Sequence, residues 1–69
     1  MQDLRAIFGR NVRRCRQQKR LTQEELALEA EIDPKYLGGI EHGKRNPSLL
    51  VMGQIANALS VSVVKLLSD

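Results

Sequence analysis

The side chains able to do chemistry in this sequence are few and scattered. Cys15 is the only cysteine and His42 the only histidine. No motif sets an acid or a nucleophile beside either, so no nucleophile, base and orienting group can be assembled and an enzyme is not expected. A lone cysteine makes no internal disulfide, and no paired Cys/His spacing offers a metal site. The chain therefore reads as reduced and cytoplasmic, with no metal and no cofactor. What remains is a supply of cations and hydrogen-bond donors. Residues 32–48, IDPKYLGGIEHGKRNPS, hold Lys35, Tyr36, Lys44, Arg45, Asn46 and Ser48 together with both prolines and three of the five glycines. Arg5, Arg10, Arg13, Arg14, Arg16, Lys19 and Arg20 crowd the first twenty residues against the single acid Asp3. With a formal net charge of +3 and a pI near 9.5, the chemistry on offer is capture of an anionic partner.

Sixty-nine residues make one domain, residues 1–69, and a core of that size rarely supplies more than ~3 to 5 kcal/mol of net stability. A partner subunit is a natural source of more. The N-terminus has no basic segment followed by an apolar run, and no apolar stretch approaches the ~20 residues a bilayer requires. Neither secretion nor a membrane span is expected.

The elements that must position these donors are helices. From Asp3 to Lys19, Leu4, Ile7, Phe8, Val12 and Cys15 recur at spacings of three and four, one stripe along a helix. Arg16 lies at the stripe's edge, beside Val12, where its stem can be buried. Thr22 and Glu25 form a capping box that opens a second helix, with Leu26, Ala27 and Ala30 inward, ending near Ala30 or Glu31. Asp33 caps a third, with Pro34 at its first position, where a missing N–H costs nothing. That helix turns Leu37 and Ile40 inward and stops at Gly43. Ser48 caps a fourth, striped by Leu49, Met52, Ile55, Ala56 and Leu59. Ser62 caps a short fifth carrying Val63, Leu66 and Leu67. No strand or repeat is predicted.

The segment TQEELALEAEIDPKYLGGIE resembles the helix-turn-helix of the Cro/XRE repressors. That family's preceding helix follows G-x-x-(I/V)-R-x-x-R and continues into glycine-leucine-(S/T)-Q, matched here by Gly9, Val12, Arg13, Arg16, Leu21, Thr22 and Gln23. Its IE-x-G-x-R-x-PS is matched by Ile40, Glu41, Gly43, Arg45, Pro47 and Ser48, and its IA-x-AL-x-V-S by Ile55, Ala56, Ala58, Leu59, Val61 and Ser62. Each piece alone is weak evidence; all of them in order, at unbroken spacing from about Phe8 to Leu67, are specific. The pattern D-x-x-YL-x-GIE-x-G-x-RN is especially similar to the controller proteins of restriction-modification systems.

The resemblance implies an all-α, compact five-helix, lambda-repressor-like domain with its helix-turn-helix at helices 2 and 3. It implies a sequence-specific regulator of transcription, repressor or activator, bound to double-stranded DNA at a bacterial or phage nucleoid. A helix in the major groove reads bases mainly with its first turn, so the third helix can be short. Pro34 sets its start. Lys35 can donate to guanine O6 or N7, Tyr36 offers a ring and a hydroxyl, and Gly39 admits a base or sugar close to the backbone. Gln23, with Thr22, is the family's phosphate contact at a helix N-terminus. Lys44, Arg45, Asn46 and Ser48 make a second clamp, with Arg13 as a further candidate. Arg16 and Glu41 resemble the family's buried ion pair.

Other residues keep plainer expectations. Most arginines of the first helix form a solvated face, Cys15 takes a core position where the family has leucine, and His42 is a surface residue. Glu31, Arg20 and Ser60 stand where the family has glycine or asparagine, so a left-handed backbone there is mildly strained. Val61, Val63, Val64 and Leu67 give the C-terminal end an apolar seam for a two-fold dimer on a palindromic operator. No small-molecule ligand is expected. The competing class is a protein-interaction module of the same fold, such as an antitoxin or a bridging coactivator. Retention of Gln23, Lys35, Arg45 and Asn46 favours DNA.

Overall fold

The computed structural model describes residues 3–68. Among these residues the fold is five helices: α1 Leu4–Gln18, α2 Gln23–Ala30, α3 Pro34–Glu41, α4 Leu49–Leu59 and α5 Val63–Leu66. Each begins on a side-chain cap within three residues of the N–H it satisfies. Asp3 accepts from the Arg5 N–H, Asp33 from Tyr36, Ser48 from Val51 and Ser62 from Lys65. At α2 the box is complete: Thr22 Oγ1 accepts from the Glu25 N–H at 3.0 Å, and Glu25 Oε1 accepts from the Thr22 N–H at 2.8 Å. Such caps contribute about 1 kcal/mol each.

The first four helices end alike. Leu21 N–H reaches back to the Arg16 carbonyl, Ile32 to Ala27, Lys44 to Gly39 and Val61 to Ala56, the six-to-one bond of a Schellman end. The bond needs one left-handed residue before its donor. Gly43 supplies it after α3 at φ 72°, but Arg20, Glu31 and Ser60 supply it elsewhere at φ 59°, 60° and 57°. A non-glycine residue there costs about 1–2 kcal/mol. What the strained turn achieves is to aim the next residue, Leu21, Ile32 or Val61, at the core.

Phe8, Val12, Leu26, Leu37, Ile40, Ile55, Leu59 and Leu66 fill that core. α1 lies against α3, α2 against both α3 and α4, and α5 against α1 and α4. Cys15 is buried as a free thiol. Two members of the expected stripes fall outside: Leu4 and Leu49 are 61% and 72% exposed. Each is the first residue of its helix, ahead of the turn that meets a neighbour. Gly9 permits the close crossing of α1 and α3. A Cβ there would overlap the Ile40 carbonyl oxygen and sit 2.8 Å from that of Glu41.

Two further amides finish the frame. Asn11 donates to the Leu66 and Ser68 carbonyls at 2.9 and 2.6 Å, fastening the end of α5 to α1. Gln54 donates to the Ala30 carbonyl at 3.0 Å and satisfies the end of α2. No helix among the described residues is long and apolar enough to cross a membrane.

Candidate nucleic-acid interface

The third helix has an open first turn. Asp33, Pro34 and Lys35 are exposed and Tyr36 is half-buried, whereas Leu37 and Ile40 on the opposite side are fully packed. Pro34 suits this start because its ring fixes φ and its missing N–H is one of those a helix leaves without an acceptor. The Asp33 carboxylate accepts from the Tyr36 N–H at 3.0 Å, which holds the turn that would carry Lys35 and Tyr36 to a ligand.

Both flanks converge on the two glycines of α3. From one side the Gln23 carboxamide lies against Gly38, where a Cβ would stand 3.5 Å from its Oε1. That is ordinary contact, so glycine at 38 leaves room without being sterically required. From the other side Arg45 lays its stem across Gly39. A Cβ at Gly39 would meet Arg45 Cγ at 2.7 Å, and the guanidinium sits 5.8 Å from the centre of the Tyr36 ring. An exposed cation–π contact of this kind contributes about 0.5–1 kcal/mol. Gly39 therefore accommodates Arg45 from within the molecule, in space that the sequence alone assigns to a base or sugar.

Behind this surface the buried side of α3 is held by charge. Arg16 Nε donates to Glu41 Oε2 at 2.7 Å and Nη2 to Oε1 at 3.1 Å, while Nη1 donates to the Leu21 carbonyl at 2.8 Å. The Glu41 and Arg16 side chains are 1% and 12% exposed. The hydrogen bonds it donates to Glu41 hold the Arg16 guanidinium above its usual range, outweighing the opposing effect of burial. Gln23 Nε2 joins the same carboxylate, donating to Oε1 at 3.0 Å.

The other candidate residues take simpler positions. Thr22 and Ser48 are exposed caps whose oxygens accept a backbone N–H, leaving each hydroxyl hydrogen for another acceptor. Lys44 and Asn46 are exposed in the loop after α3, and Arg13 is exposed on α1. His42 is exposed as well, its Nδ1 donating to the Gly38 carbonyl at 2.7 Å. Arg5 is drawn to Asp3 at 2.8 Å. Of the four seam residues, Val64 is 74% exposed, while Val61, Val63 and Leu67 pack partly on their own core. Leu4 and Met52 share a 160 Å³ pocket with Leu67. Among the described residues no group of three or more His, Cys, Asp or Glu could hold a metal ion.

A family model described as helix-turn-helix matches residues 12–66, from the second half of α1 to the end of α5. The chain belongs to the Cro/XRE helix-turn-helix family of DNA-binding transcription regulators. It is 39% identical over 66 residues to the HTH-type transcriptional regulator y4dJ of Sinorhizobium fredii, covering 96% of this chain and 86% of that one. It is 36% identical over 70 residues to the control protein C.MunI of a Mycoplasma species, covering 100% and 95%. The crystal structure of the restriction-modification controller protein C.AhdI from Aeromonas hydrophila superposes with a TM-score of 0.87 at 39% identity, covering 90% of this chain and 94% of that one. The family is one of regulators and not of enzymes, and the five-helix fold of this chain matches lambda-repressor-like helix-turn-helix structures.

Sequence reasoning missed four features of the site and its frame: the roles of Asn11 and Gln54, and the partners found for Gln23 and Arg45. The first two carry a weak signal, an amide at a core-facing helical position. The Gln23–Glu41 and Arg45–Gly39 contacts carry none, because the paired residues lie on different elements.

Proposed function

We propose that two copies of this chain bind a palindromic operator in double-stranded DNA, sequence-specifically, and so repress or activate transcription at a bacterial or phage nucleoid. The observation that carries this reading is the convergence of Gln23 and Arg45 on adjacent residues of α3, Gly38 and Gly39. Residues suited to grip a backbone on either side thus meet on α3 one turn beyond its exposed start. Pro34, Lys35 and Tyr36 form the base-reading edge, and Gly39 admits a base or sugar once the Arg45 stem that covers it lifts off. Gln23, Thr22, Arg13, Lys44, Arg45, Asn46 and Ser48 meet phosphates, which set register and orientation while the bases specify sequence. The N–H groups of Gln23 and Glu24 lack an intrahelical acceptor and favour an anion at the start of α2.

Val61, Val63, Val64 and Leu67 supply the dimer seam, and exposed Leu4 beside Leu67 extends it. Two-fold symmetry then sets the half-sites about one helical turn, ~34 Å, apart. The similarity to C.MunI and C.AhdI over almost the whole chain supports the controller subtype. Concentration and dimerisation would then set its activity.

The test is selection of bound duplexes from a random pool, followed by Lys35→Ala and Tyr36→Ala on the recovered site and affinity measured across a salt series. Counterion release makes affinity fall steeply with salt. A selected sequence that neither substitution alters would refute the base-reading assignment. Salt-insensitive binding would return the chain to the protein-interaction class.

A further inference from the structure

Glu41 does more than neutralise Arg16. Its carboxylate sits at the end of α3, is 1% exposed, and is fixed from α1 by two guanidinium bonds. Arg16 is itself anchored by the Leu21 carbonyl in the turn before α2. The first residue of α2 then hangs from this fixed group, Gln23 Nε2 donating to Glu41 Oε1 at 3.0 Å.

A carboxylate only accepts, whereas the two ends of a carboxamide differ, one accepting and one donating. Glu41 therefore selects the orientation of Gln23 with nitrogen inward, since the flipped amide would set two acceptor oxygens against each other. The amide nitrogen has two hydrogens and Glu41 takes one. The second remains for an acceptor outside the molecule. The carboxamide lies beside Gly38, where even a Cβ would stand at ordinary contact, 3.5 Å from its Oε1.

We infer that Glu41 is the positioning residue for the Gln23 phosphate contact, turning the free N–H of the carboxamide toward the DNA backbone before binding. This rests on the assignment of Gln23 to a phosphate. The carboxylate thus works twice, as the counter-charge of Arg16 and as the orienter of Gln23, and only the second role is felt at one particular phosphate.

The experiment replaces each phosphate of the selected operator in turn with a neutral methylphosphonate and measures affinity for wild type, Gln23→Met, Glu41→Gln and the double variant, with folding followed by circular dichroism. In wild type, the linkage met by Gln23 weakens binding at least roughly tenfold, the value of a hydrogen bond to a charged group. Gln23→Met removes that one penalty and leaves the others. Glu41→Gln, whose amide can face Gln23 either way, shrinks the same penalty and changes nothing further at that linkage when Gln23→Met is already present. Weakening spread evenly over all linkages, or equal in both backgrounds, would mean that Glu41 is structural only. A Gln23→Met profile identical to wild type would overturn the Gln23 assignment, and this inference with it. Should Glu41→Gln not fold, the wild-type amide of Gln23 carries the test by NMR. One Nε2 proton is protected from exchange in the free protein and stays so on the operator while the other shifts; two equivalent, unprotected protons would refute the inference.

Discussion

The two flanks of α3 are built to opposite specifications. On the Glu41 flank Arg16, Leu21, Gln23 and Glu41 form one hydrogen-bonded chain with its carboxylate sealed from water. On the Arg45 flank an exposed guanidinium rests on a tyrosine ring and a bare glycine. A buried, fully bonded group sets where a helix lies, since displacing any member strands a charge. An exposed arginine on a ring loses little by letting go. One flank orients the helix and the other adapts to what the helix meets.

Breaking each flank in turn should separate stability from binding. Glu41→Ala leaves Arg16 buried without a counter-charge and should cost ~3 to 5 kcal/mol, lowering the melting temperature by at least roughly 12 °C in a domain of this size. Arg45→Ala should cost less than about 1 kcal/mol of stability. Its effect falls on the operator, at least roughly tenfold in affinity, with the salt slope shallower by about 0.9 for each phosphate no longer neutralised. An unchanged melting temperature for Glu41→Ala, or a large drop for Arg45→Ala, would reverse the assignment of the two flanks.

A finer contrast uses two helical glycines. Nothing lies within 4 Å of a Cβ built on Gly53, while one on Gly39 meets Arg45 at 2.7 Å. Alanine is favoured over glycine in a helix by about 1 kcal/mol, so Gly53→Ala should raise stability by nearly that much and leave DNA affinity alone. Gly39→Ala should gain less, because the Arg45 stem must lift off, and should weaken or re-target binding. Melting curves and affinities for the selected operator, taken on both variants, decide it. Equal effects on binding would show that the bed for Arg45 is irrelevant.

How far the sequence speaks depends on how far apart the interacting residues lie. The caps at Thr22, Asp33, Ser48 and Ser62 are legible because each spans only three residues, whereas the Asp3 cap, which reaches the Arg5 N–H, is not read from the sequence. Three left-handed turns are signalled by the missing glycines at Arg20, Glu31 and Ser60. The reason the chain tolerates them, an apolar residue driven into the core at the next position, emerges only from the packed structure. Periodicity over-reaches at Leu4 and Leu49, since a stripe does not reveal where the neighbouring helix begins. Spacing within α3 places Lys35 and Tyr36 on its open turn, yet no pattern joins Gln23 to Glu41, 18 residues away on another helix. Local hydrogen bonding is written in short words; the site is assembled by tertiary contacts that have none.

The smallest effect compares the sealed ion pair with an open one. Asp3 caps α1 and binds the Arg5 guanidinium at 2.8 Å, with the two side chains 50% and 46% exposed. Hydrogen bonds from the Arg5 side chain, then from its backbone N–H, hold the Asp3 carboxyl below its ordinary 3.8. A folded-state pKa that is depressed contributes stability above the unfolded value and loses it as pH falls through the folded one. Asp3→Asn keeps a cap of equal quality but removes the charge. Wild type should therefore melt slightly above Asp3→Asn at neutral pH, and the gap should close as pH falls below the ordinary carboxylate range and through the lowered folded value. A gap that persists in acid would assign it to side-chain geometry and not to charge. Addition of salt at neutral pH should narrow it too, because an exposed pair is screened where a buried one is not.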